Sequence, residues 1–152
     1  MTDDRKLKTD DRRPIRSYRD LEVYQLAYAS AMEVFRATKQ FPPEERFSLA
    51  DQIRRSSRSV CANISEGGAE RRYENKFKNR LNDAEGSATE TQTWLDFAKD
   101  CACIKTDFHT DMAAKYDRIA AMLYRLAENW TTFENPKSVL GRQSSVLSPQ
   151  PR

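Results

Sequence analysis

The chain has little glycine, a single histidine and no long apolar run, and each shortage closes off a class of protein. Only 4 glycines occur in 152 residues, too few for the tight turns of an all-β fold, which would also call for more β-branched residues. No stretch approaches the roughly 20 consecutive apolar residues that cross a bilayer, so no membrane role is expected. Met1-Thr2-Asp3-Asp4-Arg5-Lys6 has no apolar segment behind it of the kind that directs secretion, and the expected location is the cytoplasm. Cys61, Cys101 and Cys103 are an odd number in a chain with no secretory segment, so free thiols are expected rather than a disulfide framework.

Catalytic signatures are just as scarce. His109 has no nucleophile paired with it in any motif, and an exposed or capping histidine is the expected reading. Gly67-Gly68-Ala69-Glu70-Arg71 carries neither the Walker lysine pattern nor a dinucleotide fingerprint after a strand. Cys101-Ala102-Cys103 with His109 raises metal binding, but residues two apart on a helix point about 200° from each other, and the two-residue gap of zinc knuckles is missing. Glu66 and Glu90 can be imagined facing each other across two helices. Di-iron bundles also need Glu-x-x-His motifs, and none is present. Neither an enzyme, a cofactor nor a metal site is expected.

What the chain does have is charge and helical periodicity. Its 38% hydrophobic and 32% charged residues over 152 positions suit one helical domain with a single core. The stretch from Gln52 to Gly68 organises it. On a helix of about 100° per residue, Leu49, Ile53, Val60 and Ile64 form an apolar stripe with the small Ser56, Ser57 and Cys61 beside it. Arg54, Arg55 and Arg58 lie on the opposite side, where i and i+4 neighbours repel by a few tenths of a kcal/mol unless an anion lies between them. A third, polar stripe of Gln52, Ser59, Asn63 and Glu66 flanks the core, where buried polar groups need partners and so fix one packing arrangement. Gly67-Gly68 is expected to end this helix as a left-handed cap.

Taken in order, residues 1–17 are charged, poor in apolar side chains and broken by Pro14, and read as a disordered arm. A first helix follows from Asp20 as N-cap, with Tyr24, Ala27, Tyr28, Ala31, Val34, Phe35 and Thr38 on its inner face, until Phe41-Pro42-Pro43 stops it. Pro43 with Glu44 and Glu45 starts the second helix. The third runs from about Tyr73 to Cys101 with its core line at Tyr73, Phe77, Leu81, Ala84, Ala88, Thr91, Leu95, Ala98 and Ala102. Thr106 with Asp107 caps the fourth, whose stripe is Phe108, Met112, Tyr116, Ile119, Leu123, Leu126, Ala127 and Trp130. Asn135-Pro136 ends it, and the Ser-, Gln- and Pro-rich residues 135–152 read as a disordered tail. Short connections make neighbours antiparallel. The expected fold is all-α: an up-down-up-down four-helix bundle over residues 18–134.

Two surface features remain. From Arg54 to Arg80 eight basic residues stand against three acidic ones, so the chain's surplus of positive charge belongs to the second helix, its loop and the start of the third. The candidate contacts are Arg54, Arg55, Arg58, Arg71 and Arg72, with Lys76 and Arg80. On the third helix Trp94, Phe97 and Cys101 sit roughly 90° or more from the core line, as cover for the bundle edge or as a subunit interface, where aromatic side chains are enriched.

The pattern Gln52-Ile53-Arg54-Arg55, Ser59-Val60 and Asn63-Ile64-Ser65-Glu66-Gly67 resembles the signature of the bacterial four-helix-bundle family of 23S rRNA intervening-sequence proteins. Asp20-Leu21-Glu22-Val23-Tyr24-Gln25, Phe41-Pro42-Pro43-Glu44-Glu45-Arg46-Phe47 and the segment from Glu90-Thr91 to Ala98-Lys99 fit its other elements. The resemblance covers roughly residues 18–130. It departs at Cys61, where the family has proline, which implies a straighter second helix here. It implies a non-catalytic bundle that assembles into a ring-like homopentamer, with some relatives acting as nucleic-acid-binding accessory proteins of retroelements.

Three roles for the basic patch stay open. It contacts the phosphates of RNA or DNA without reading bases, it pairs with acidic groups of a neighbouring protein subunit such as Glu85, Glu90 or Asp96, or it is a solvated face. The first is favoured, with a structural or protein-partner module as the alternative.

Overall fold

The computed structural model describes residues 15–130. Four α-helices fill that span: α1 (Glu22–Thr38), α2 (Leu49–Ala69), α3 (Glu74–Asp100) and α4 (Thr106–Glu128), with no strand among the described residues. Single 3-10 turns at Tyr18–Asp20 and Pro43–Glu45 precede α1 and α2. The expected arm (1–17) and tail (135–152) lie outside the described residues, apart from Ile15 to Ser17.

Neighbouring helices run antiparallel, as their short links require. Ser56 meets Thr91, Ser59 meets Ser87 and Glu66 meets Arg80, so numbers fall on α3 as they rise on α2. Thr38 with Arg54 and Phe35 with Arg58 relate α1 to α2 in the same sense. Gln92 with Asp117 and Asp96 with His109 join α3 to α4, while Glu33 with Lys115 and Glu22 with Arg118 close α4 against α1. The result is an all-α four-helix bundle.

Each helix turns one stripe inward. Ile53, Val60 and Ile64 of α2 meet Phe77, Leu81 and Leu95 of α3 and Met112, Tyr116, Ile119 and Leu123 of α4 in one core. A fully buried side chain of this size contributes about 1.5–3 kcal/mol. Small residues hold α2 and α3 close: Ser56, Ser57, Ala84, Ala88 and Thr91 are all buried, and Thr91 shares a 2.8 Å hydrogen bond with Ser56 inside the contact. The third and fourth stripes match the sequence reading at every position from Phe77 to Ala98 and at Met112, Tyr116, Ile119, Leu123, Ala127 and Trp130.

The helix ends and one face differ from it. Asp20 is not the N-cap of α1. Ser17 Oγ accepts from Arg19 N at 3.2 Å and Asp20 Oδ2 reaches back to Ser17 N at 3.1 Å, a capping box that sits one 3-10 turn earlier. Pro43 opens a 3-10 turn, and α2 starts only at Leu49, where Glu45 Oε1 accepts from Leu49 N at 3.3 Å and from Ser48 Oγ at 2.6 Å. Gly67 and Gly68 do not end α2, and neither has a positive φ. They are spacers: a Cβ on Gly67 would stand 3.2 Å from Arg80 Cβ, and one on Gly68 would stand 2.9 Å from Tyr18 Cβ. Tyr73 caps α3 from outside and is exposed, and Ala102 lies beyond the helix with φ of 61°. The N-cap of α4 is Lys105, which makes no side-chain capping bond, while Asp107 Oδ1 accepts from Phe108 N at 2.9 Å in the first turn. Phe108 and Leu126 are half-buried against the core. On α1 the buried line is Val23, Ala27, Ser30, Val34 and Thr38, whereas Tyr28 is 53% exposed and Tyr24, Ala31 and Phe35 are half-buried.

Candidate nucleic-acid interface

The basic residues between Arg54 and Arg80 do not form one patch. Arg54 is half-buried against α1 rather than opposite the core. Its Nε donates to Thr38 Oγ1 at 2.7 Å, and Thr38 Oγ1 in turn donates to the Phe35 carbonyl at 2.7 Å. The bond from Nε to Thr38 holds the planar guanidinium in one orientation. The Arg54 Cζ lies 4.9 Å from the centroid of the Phe35 ring, the Arg58 Cζ 5.6 Å and the Lys39 Nζ 4.8 Å. Among the described residues none of these three cations has a carboxylate within 4.0 Å. Ring attraction of about 0.5–1 kcal/mol per exposed cation offsets their mutual repulsion and leaves the cluster with unspent positive charge. Arg55 points elsewhere, 3.9 Å from Asp51 in a loose surface pair worth about 0–1 kcal/mol.

The other half of the predicted set lies roughly 20 Å further along, at 1.5 Å per helical residue from Arg58 to Arg71. Arg80 is held between Glu70 at 3.0 Å and Glu66 at 3.1 Å, and the Glu70 hydrogen bond, then the Glu66 charge, push its pKa up. Lys78 pairs with Glu74 at 2.8 Å. Lys76 stands 5.3 Å over the exposed Tyr73 ring, Arg72 is exposed, and the Arg71 carbonyl accepts from Trp130 Nε1 at 2.8 Å. The surplus charge of the sequence window is therefore split between its two ends, and at its start Arg54 and Arg58 gather on one ring.

The polar stripe divides as well. Ser59 Oγ bonds Ser87 Oγ at 2.8 Å, which pins α2 to α3, while Asn63 Nδ2 donates to Ser59 O at 3.0 Å within α2. Glu66 belongs to the Arg80 pair, and Gln52 is exposed. Gln52 borders a hollow of about 240 Å³ walled by Glu45, Leu49, Trp94, Phe97 and Cys101. Phe97 is 53% exposed there, its ring 6.0 Å from that of Trp94, whose Nε1 donates to Glu90 Oε2 at 3.1 Å. The predicted trio of Trp94, Phe97 and Cys101 is thus together on one rim.

Residues 19–125 match the profile of the 23S rRNA-intervening sequence proteins. The chain belongs to that family. A crystal structure of a protein of unknown function from the S23 ribosomal protein family of Bacteroides thetaiotaomicron VPI-5482 is similar at 25% identity and a TM-score of 0.64, covering 70% of this chain and 96% of that one. No curated protein matches the chain.

For this 23S rRNA-intervening sequence protein, α2 runs unbroken through Cys61. That thiol is half-buried, and burial pushes its pKa up to about 11, so it stays protonated and unreactive at neutral pH. His109 Nε2 lies 2.7 Å from Asp96 Oδ1 and ties α4 to α3. Among the described residues no group of three or more His, Cys, Asp or Glu side chains is placed to hold a metal ion. Sequence reading missed Lys39, Phe35 as a surface ring, and Phe47, which is 88% exposed. Lys39 follows Phe35 by four residues, a spacing that places both on one helical line.

Proposed function

We propose that this family member is a non-enzymatic homo-oligomer, a homopentamer as the family resemblance implies, that binds nucleic acid without sequence specificity through the phosphates. The observation that carries the reading is the convergence of Lys39, Arg54 and Arg58 on Phe35 with no carboxylate partner among the described residues. Three cations kept together without a counter-charge suit a phosphate, and Thr38 already holds the Arg54 guanidinium in place. Arg55, Arg71, Arg72 and Lys76 add weaker, more distant contacts, and Arg80 contributes least because Glu66 and Glu70 already hold it. Trp94, Phe97 and Cys101 supply the subunit contact.

Light scattering after size exclusion, with and without a 20-nucleotide mixed RNA, tests the reading. The mass is expected to exceed that of one chain and to rise with RNA, and Arg54→Glu with Arg58→Glu is expected to abolish the rise while leaving the protein's own mass unchanged. Binding should weaken as a power of salt concentration, since each phosphate contact releases counterions. An oligomer that ignores RNA moves the weight to a protein partner, and a charge reversal that breaks the oligomer makes the arginines an interface.

A further inference from the structure

α1 carries a second stripe that the core does not use. Tyr24, Tyr28, Phe35 and Lys39 follow one another at spacings of four and seven, which keeps them on one line of a helix. At about 100° per residue that line lies roughly 100° round the helix from the buried positions Val23, Ala27, Ser30, Val34 and Thr38. It is the flank beside α2, because Phe35 meets Arg54 and Arg58 there. Glu22 and Glu33, the acidic residues of α1, occupy the other flank, where they pair with Arg118 and Lys115 of α4.

The stripe continues past the start of the helix. The capping turn seats Tyr18 against Gly68 of α2, edge-on to Tyr24 with centroids 4.9 Å apart and planes at 74°. Tyr24 and Tyr28 follow at 6.0 Å, and Arg19 stands 4.7 Å over the Tyr18 ring. From Arg19 to Lys39 the flank therefore reads cation, three tyrosines, Phe35 and then three cations. At 1.5 Å per residue, Tyr24 to Lys39 alone spans about 22 Å. Tyr28, in the middle, is 53% exposed.

We infer that this flank is a track for single-stranded nucleic acid, in which bases stack on the tyrosines while phosphates meet Arg19, Lys39, Arg54 and Arg58. The inference rests on the phosphate-binding reading above and narrows it. Phosphates alone do not distinguish strand number, since a duplex offers them as freely as a single strand. Aromatic rings do, because a duplex has already stacked its base faces on each other, whereas a single strand presents every one. The positive charge at both ends suits a polyanion lying along the track, and its length suits a site of about four nucleotides or more.

Fluorescence anisotropy with the full chain decides it, using a labelled 12-nucleotide single strand and the corresponding 12-base-pair DNA duplex at one salt concentration. Tyr28→Ala is expected to weaken single-strand binding about tenfold, the order of one lost stack, with duplex binding changed less than twofold, and Tyr28→Phe is expected to restore it. Arg58→Gln should weaken both probes alike. Equal losses on the two probes for Tyr28→Ala, or none on the single strand, overturn the track while leaving the phosphate reading standing. A fall in oligomer mass with Tyr28→Ala also overturns it, by assigning the stripe to a contact between copies. Binding of neither probe by the unaltered chain fells both readings.

Discussion

Gly86 sits midway along α3 with nothing within 4 Å of where a Cβ would stand, so its backbone freedom serves no packing need. Gly86→Ala should stabilise the protein by about 1 kcal/mol, the helix-interior difference between the two residues, and raise the thermal midpoint by a few degrees. Gly68→Ala should do the reverse. The same helical gain is there, but the new methyl would stand 2.9 Å from Tyr18 Cβ, and crowding of that kind costs about 1–3 kcal/mol. Cys61 gives a prediction in pH. Burial raises its pKa from 9.0 to about 11, so the folded protein holds the thiol proton more tightly than the unfolded chain does. The resulting stability is complete below pH 9 and is lost as the pH rises toward 11. At 1.36 kcal/mol per pKa unit the loss is about 2–3 kcal/mol. Urea midpoints for the unaltered chain and Cys61→Ala, taken from pH 7 to 11, should converge by about that amount; parallel curves would refute the assignment.

At the scale of elements, α3 and α4 were legible because their core residues keep one line at regular spacing, with Trp94 and Phe97 standing well apart from it on α3. Phe77, Leu81, Ala84 and Ala88 recur at fours and threes, and all are buried. α1 was not, because two lines of apolar and aromatic residues share it. Rings weigh heavily in any reading by hydrophobicity, yet a tyrosine with a polar tip suits a rim as well as a core. The true inner line of α1 includes Ser30, which no hydrophobic pattern selects. Helix ends misled for a related reason: a glycine pair after a helical stretch has the same appearance whether it frees the backbone or lets Tyr18 and Arg80 approach. Charge was legible as a surplus but not as a site, since whether Arg80 meets Glu66 and Glu70 depends on the α2–α3 register. Thr38 shows what that register adds, for it links Phe35 to Arg54 across two helices. Thr38→Val keeps the shape and removes both bonds. The half-buried Arg54 Nε then loses its partner, at a cost of about 1–3 kcal/mol, and RNA retention should fall several-fold through lost orientation. A lower urea midpoint with unchanged retention would confine Thr38 to a structural role.

For the whole molecule, the proposed function raises the question of how one weak cationic flank on a proposed oligomer would become a useful binder. A handful of exposed phosphate contacts per chain gives little affinity at about physiological salt, where charges more than roughly 8 Å apart are screened. Repetition around an oligomer changes that, because a strand held by one copy meets the next at high effective concentration. The Trp94 and Phe97 rim and the Arg54 flank lie on different sides of the bundle, one beside α2 and α3 and the other beside α1 and α2. Assembly through the first therefore leaves the second open. Trp94→Ala with Phe97→Ala removes two aromatic anchors, each of the kind that costs about 2 kcal/mol or more on truncation, and should shift the mass toward one chain. The affinity for a 12-nucleotide strand, short enough for a single flank, should change less than twofold. For a 60-nucleotide strand it should fall about a hundredfold or more, the low end of what linked sites contribute. An unchanged mass would remove the rim from the subunit contact, and equal losses for the two strands would place the rim in nucleic-acid binding itself.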